Sequence, residues 1–81
     1  MKIEIYSKEL CTYCMMAERL AQEIIEKYPN QDSSYIKLNL DEDYTREQLL
    51  EKFPEARTFP QITIDGVSIG GYNNFYEYLY G

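Results

Sequence analysis

Between Tyr6 and Cys11 the hydrophobic period of the chain changes, and that change restricts the fold more than any other feature. Lys2 to Tyr6 reads K-I-E-I-Y, apolar and polar residues alternating as they do in a strand. From Cys11 to Tyr28 the period is helical: Ala17, Leu20, Ala21, Ile24, Ile25 and Tyr28 recur at three and four residues and form one face. Ser7 to Leu10 is a polar turn between the two. Tyr35 to Leu40 alternates again, with Ile36, Leu38 and Leu40 on one face and Lys37 and Asn39 on the other. A strand–helix–strand order gives a parallel pair joined by a right-handed crossover.

Pro29-Asn30 ends the first helix, and Gln31 to Ser34 is a loop. Asp41-Glu42-Asp43 is expected to cap a second helix, Tyr44 to Phe53, because acids suit a helix N-terminus; Pro54 closes it. Arg57 to Pro60 is irregular. Gln61 to Ile64 and Val67 to Ile69 are short strands joined by Asp65-Gly66, the strongest hairpin signal in the chain. Gly70-Gly71 breaks the second of these strands before a last helix, Tyr72 to Tyr80. The expected fold is α/β, in the order β-α-β-α-β-β-α: a four-stranded mixed sheet flanked by three helices. The first strand is expected in the middle, since Ile3 and Ile5 must pair on both sides in so small a core. Residues 1–81 are read as one domain, in a chain too short for a second.

Composition narrows the function. The net charge is −6, from 14 acids and 8 bases, and the bases are scattered singly, so there is no basic stripe to displace counterions from nucleic acid. No apolar run approaches the ~20 residues of a membrane span, and the N-terminus shows no signal-peptide apolar region. The chain has two Cys and no His, whereas a small secreted domain stapled by disulfides would carry more Cys. A cytoplasmic, reducing environment is therefore expected, with no nucleic-acid or membrane partner and a monomeric state.

Those two Cys form Cys11-Thr12-Tyr13-Cys14, just after a strand and opening a helix. A helix N-terminus has unsatisfied N–H groups and a partial positive charge, and both stabilise a thiolate, the reactive form of cysteine. Cys11 sits at that end and is read as the attacking thiol. Cys14, one turn further in and more buried, is read as the resolving thiol. Lys8 adds a cation that could favour the thiolate or hold a carboxylate. A zinc site would need two further ligands. With no His and no third Cys, zinc could be shared only between subunits, and no metal is expected; two buried structural thiols are the other alternative.

Two more segments fit a ligand groove. In Thr58-Phe59-Pro60-Gln61, the proline at a loop-to-strand junction is an ordinary edge device or a cis-Pro turn. A cis bond would leave the Phe59 backbone free to pair with an extended, peptide-like ligand. Gly70-Gly71 lets a ligand approach bare backbone, and the helix start beyond it could bind a carboxylate. Asn73 or Asn74 would serve as N-cap there.

Taken together, Y-S-K-E-L-C-T-Y-C, A-R-T-F-P-Q-I and I-G-G-Y-N-N-F resemble the motifs of the glutaredoxin family, in the same order and spacing and over nearly the whole chain. The resemblance implies the minimal thioredoxin-like fold. It implies a glutathione-dependent thiol–disulfide oxidoreductase, with glutathione as reducing co-substrate, acting on protein disulfides and glutathionylated proteins; ribonucleotide reductase is a family-level candidate. It further implies a glutathione site in which Lys8 meets the glycine carboxylate and Tyr13 flanks the groove. Thr58, Phe59 and Pro60 would pair with the cysteine, and Gly71, Tyr72, Asn73 and Asn74 would hold the γ-glutamyl end. Arg46 and Gln48 are candidates for a further polar contact from the second helix. Thr12 stands where the family usually has proline, and Asn73 and Asn74 where it often has an acid.

Two rival readings stand beside this one. One is a thioredoxin-like electron donor reduced by a reductase, favoured by the missing acid and disfavoured by Lys8 and Gly70-Gly71. The other is an iron–sulfur cluster carrier, disfavoured by Tyr13 and Cys14.

Overall fold

The computed structural model describes residues 1–29 and 31–81. Its elements are β1 (Lys2–Ser7), α1 (Thr12–Lys27), β2 (Ser34–Asn39), α2 (Arg46–Lys52), β3 (Gln61–Ile64), β4 (Val67–Gly70) and α3 (Tyr72–Tyr80). The order is the expected one. The sheet runs β2-β1-β3-β4, with β1 parallel to β2 and antiparallel to β3, so β1 is interior and pairs on both edges. Asp65 and Gly66 both have positive φ, 52° and 84°, as a tight two-residue hairpin between β3 and β4 requires.

Alternation along the strands divides the core in two. Ile3, Ile5, Ile62 and Ile64 face α1 and α3, where they pack with Ala17, Leu20, Ala21 and Phe75. On the other face Tyr6 packs with Tyr44, Leu49 and Phe53, its ring edge-on to those of Tyr44 and Phe53 at 5.4 and 5.2 Å. The small residues Ala17 and Ala21 let α1 lie close against the sheet. Glu4, on the Tyr6 face, accepts a 2.8 Å hydrogen bond from the Thr63 hydroxyl of its cross-strand partner.

Several local expectations are corrected. The second helix begins at Arg46, and its cap is Thr45, not the acids at 41–43. The Thr45 hydroxyl accepts from the Gln48 backbone N–H and the Gln48 side chain accepts from that of Thr45, a reciprocal capping box that outcompetes a loose acidic run. Asp43 instead closes the preceding turn, accepting from the Asn39 N–H at 2.8 Å. Tyr44 lies before the helix and points inward. The last helix is capped by Gly71 without a side-chain hydrogen bond, so neither Asn73 nor Asn74 is its N-cap. Ser7 belongs to β1 rather than the turn and is fully buried. Ile36 is 49% exposed although it shares a face with Leu38 and Leu40, because β2 is an edge strand. The first helix ends at Lys27 with Tyr28 as C-cap; of the Pro29-Asn30 stop, Asn30 lies outside the described residues.

Tyr44 donates a 2.6 Å hydrogen bond to the Ser7 carbonyl, and burial, with the charge of Tyr6 next, raises its pKa to about 12. A raised folded-state value means that the stability tied to the neutral, buried hydroxyl is fully present below the ordinary tyrosine value and is lost as pH climbs from there through the raised one. Tyr44→Phe should cost about 1 kcal/mol in urea unfolding at pH 7, because the Ser7 carbonyl keeps the Leu40 N–H as a second partner. The gap between wild type and variant should narrow between pH 10 and 12.

Candidate active site

Leu10 turns the chain from β1 into α1. It has φ 53° and is fully exposed, so nothing in the fold covers it. Cys11 follows in extended geometry as the N-cap, and its sulfur accepts the Cys14 backbone N–H at 3.2 Å, while its carbonyl accepts from Met15. A cysteine thus occupies the place of a Ser or Asp cap. Cys11 and Cys14 are joined by a disulfide, their Cα atoms 5.2 Å apart. Cys14 is 1% exposed, whereas Cys11 is partly open to solvent. This asymmetry is the one expected: an outer sulfur for attack and an inner one for closure.

The other sequence-derived residues converge on this corner through side-chain and backbone contacts. Lys8 Nζ lies 5.4 Å from the centroid of the Phe59 ring, within cation–π range. The Tyr13 and Tyr72 rings meet at 5.9 Å. The Phe59–Pro60 peptide is cis, one of the two alternatives the sequence allows, and Pro60 is buried while Phe59 is partly exposed and Thr58 exposed. A Cβ on Gly71 would stand 3.5 Å from the Pro60 carbonyl oxygen, so the start of α3 abuts the cis-Pro turn. The loop between β1 and α1, the cis-Pro turn and the Gly-Gly segment therefore form one contiguous surface.

The Gly-Gly pair has two different reasons. Gly70 has φ 105°, and a Cβ there would come within 2.9 Å of the Asn74 side chain. Gly70 is therefore fixed by the chain itself. Gly71 has φ −94° and would meet only ordinary contacts, so nothing inside the chain demands a glycine. Asn74 folds back over Gly70, while Asn73 lies on the side of α3 shared with Tyr76 and Glu77. A groove of about 570 Å³ opens beside Thr58, Gly70 and Gly71, flanked by Arg57, Lys52 and Glu55.

Of the two candidates on the second helix, Gln48 is committed to its capping box. Sequence reasoning passed over Gln61, whose side-chain amide donates to the Thr58 carbonyl at 2.8 Å and holds the cis-Pro turn. The Gln directly after Pro60 was its only signal. Among the described residues, no group of three or more His, Cys, Asp or Glu gathers as a metal site would need, and no helix is long and apolar enough to cross a membrane.

The glutaredoxin family model matches residues 3–69. The chain belongs to the glutaredoxin family. Glutaredoxin 1 of Escherichia coli K12 is 32% identical over 76 residues, covering 93% of this chain and 88% of the relative. Glutaredoxin 3 of the same organism is 32% identical over 74 residues, with 91% and 81% covered. The solved structure of reduced E. coli glutaredoxin superposes with a TM-score of 0.79 at 30% identity over 98% of this chain and 93% of that one. A buckwheat glutaredoxin–glutathione complex superposes at 0.65 and 25% identity, over 93% and 64%. The fold is the thioredoxin-like fold of glutaredoxins, and the protein is a thiol–disulfide oxidoreductase with a Cys-x-x-Cys redox pair.

After full reduction, limiting iodoacetamide at neutral pH should label Cys11 roughly tenfold or more faster than Cys14, because Cys11 is accessible and accepts an N–H at the helix start. Mass spectrometry of the digested protein reads the ratio; equal labelling would mean that the burial asymmetry vanishes on reduction.

Proposed function

We propose that this glutaredoxin reduces protein disulfides and glutathione mixed disulfides with glutathione as its electron source. The observation that carries the residue assignment is the N-cap placement of Cys11, partly open, against the buried Cys14. In the dithiol route the Cys11 thiolate attacks one sulfur of a protein disulfide and the other sulfur leaves as a thiolate. Cys14, deprotonated, then attacks the Cys11 sulfur, which closes the Cys11–Cys14 disulfide and releases the second substrate thiol. Two glutathione molecules reduce the pair in turn, leaving as glutathione disulfide. In the monothiol route Cys11 takes the glutathionyl sulfur from a mixed disulfide, and a second glutathione removes it; Cys14 takes no part.

For the ligand, Lys8 beside Phe59 and Tyr13 beside Tyr72 flank the groove, and Thr58 and Phe59, ahead of the buried Pro60, offer backbone to the cysteinyl part. Gly71, Tyr72, Asn73 and Asn74 hold the γ-glutamyl end. Three features support this placement. The residues adjoin one another, the start of α3 has no side-chain cap competing for its N–H groups, and Gly71 is a glycine with no internal reason to be one. Asn74, next to Gly70, is the better placed of the two amides. An amide in place of an acid there forgoes a charge-assisted bond to the ligand ammonium. Protein substrates are disulfide-bearing or glutathionylated proteins, ribonucleotide reductase being one candidate. A cytoplasmic location is consistent with a chain whose two cysteines are both in the redox pair.

Two sets of variants test this. With a glutathionylated cysteine substrate, glutathione and glutathione reductase, Cys11→Ser should abolish turnover. Cys14→Ser should keep that turnover and lose reduction of protein disulfides; equal loss of both would break the division of roles. Gly71→Ala should change stability by less than about 1 kcal/mol and raise the KM for the glutathionylated substrate several-fold. An unchanged KM would show that the ligand does not pass over Gly71.

A further inference from the structure

Tyr13 and Tyr72, the rings that meet beside the redox pair, begin a longer series. Tyr72, Tyr76 and Tyr80 recur at every fourth residue of α3 and so lie along one side of it. From Tyr13 onward the successive ring centroids are 5.9, 6.4 and 5.0 Å apart. Tyr76 and Tyr80 remain 50% and 42% exposed. Between them and α1 runs a groove of about 490 Å³, whose α1 wall includes Met16, Arg19, Glu23 and Lys27. Its charged residues are two cations and one acid, in a chain whose net charge is −6. Lys27 Nζ rests 5.7 Å from the Tyr80 ring centroid, and among the described residues Arg19 forms no ion pair. From Tyr72 to Tyr80 the helix rises about 12 Å, the reach of about four extended residues.

We propose that this tyrosine ladder is the docking track for the polypeptide flanking a target disulfide: an extended segment with apolar side chains on the rings and an acidic one at Arg19 and Lys27. The proposal rests on the oxidoreductase function above and names its class of protein substrate. Continuity selects this occupant, since Tyr13 lies within Cys-x-x-Cys and a segment seated on the ladder leads its disulfide to Cys11. Charge selects it against isologous pairing with a second copy of this chain, which would bring the cationic wall of one groove against the same wall of the other. Tyrosine suits such a track because its ring offers large contact area at small rotamer cost, and its hydroxyl stays solvated when the track is empty.

The test uses synthetic disulfide-bridged peptides whose flanking segments are acidic and apolar, basic and apolar, or acidic and polar. The acidic, apolar peptide should show the highest kcat/KM. Tyr76→Ser/Tyr80→Ser should lower it roughly tenfold, as expected for loss of well-packed aromatic anchors, and leave turnover of glutathionylated cysteine within twofold. Arg19→Glu should shift the preference toward the basic, apolar peptide. Equal kcat/KM for all peptides, or a preference that survives in the double tyrosine variant, overturns the proposal. So does a dimer in sedimentation that dissociates in that variant, since a second copy would then own the ladder. Ring resonances of Tyr76 and Tyr80 that shift on titration with the acidic, apolar peptide support docking even if no peptide is reduced; that result would count against the catalytic reading alone.

Discussion

The reactive end of the molecule depends on α1 starting on a sulfur atom. Cys11 caps the helix with its disulfide-bonded sulfur and places Cys14 in the first turn, on the face that enters the core. That hydrogen bond marks the helix start, and the disulfide ties the outer sulfur to the inner one, whose residue is buried. Reaching that start from a strand requires a sharp change of direction, and Leu10 makes it with a positive φ that a leucine adopts at a cost on the order of 1–2 kcal/mol. The cost is offset by what lies on either side: β1, bonded along both edges, and α1, seated on it through Ala17, Leu20 and Ala21.

The turn springs from Ser7, and Ser7 is held from several directions. Its carbonyl accepts from the Tyr44 hydroxyl and the Leu40 N–H, and its hydroxyl donates to the Leu38 carbonyl. Tyr44 is itself fixed by the edge of the Tyr6 ring and by the capped helix that follows it. The aromatic cluster under α2 therefore does more than fill the second face of the sheet. It anchors the C-terminal end of β1, so that the loop carrying Lys8 and Cys11 starts from a fixed point even though the loop itself is exposed.

What was legible in the sequence was set by short-range patterns. The K-I-E-I-Y alternation, the helical face from Ala17 to Ile24 and the Asp65-Gly66 turn each encode an element within a few residues, and together they determine the order and the interior position of β1. The redox pair was legible because a cysteine spacing in one helical turn is local too. The helix caps were not, because capping is a competition: acids at 41–43, Thr45 and the asparagines at 73 and 74 are all acceptable by composition. Reciprocal geometry decided for Thr45 and Gln48, and the close approach of Asn74 to Gly70 took that side chain out of the contest at α3. The inward role of Tyr44 was hidden for a similar reason, since its partner is a carbonyl 37 residues away. The ladder at Tyr72, Tyr76 and Tyr80 was written in the spacing, but only the position of Tyr13 beside it gives that spacing a direction.

An acidic chain that handles anionic thiols has to separate far-field from near-field electrostatics. The net charge of −6 repels such ligands at long range. At physiological ionic strength, however, that repulsion is screened over about 8 Å, so the groups at the groove itself govern binding. There cations are present beside acids: Lys8 stands over Phe59, Arg57 and Lys52 flank the groove at Gly70 and Gly71 together with Glu55, and the first turn of α3 presents its N–H groups without a side-chain cap. An uncapped helix start is a modest loss for the free protein where water can reach it, and it becomes a gain when a carboxylate takes the water's place. The missing cap at α3 and the sulfur cap at α1 are in this sense one device used twice. At α1 the nucleophile takes the place of a structural capping side chain, and at α3 that place is free for the ligand under the placement proposed above.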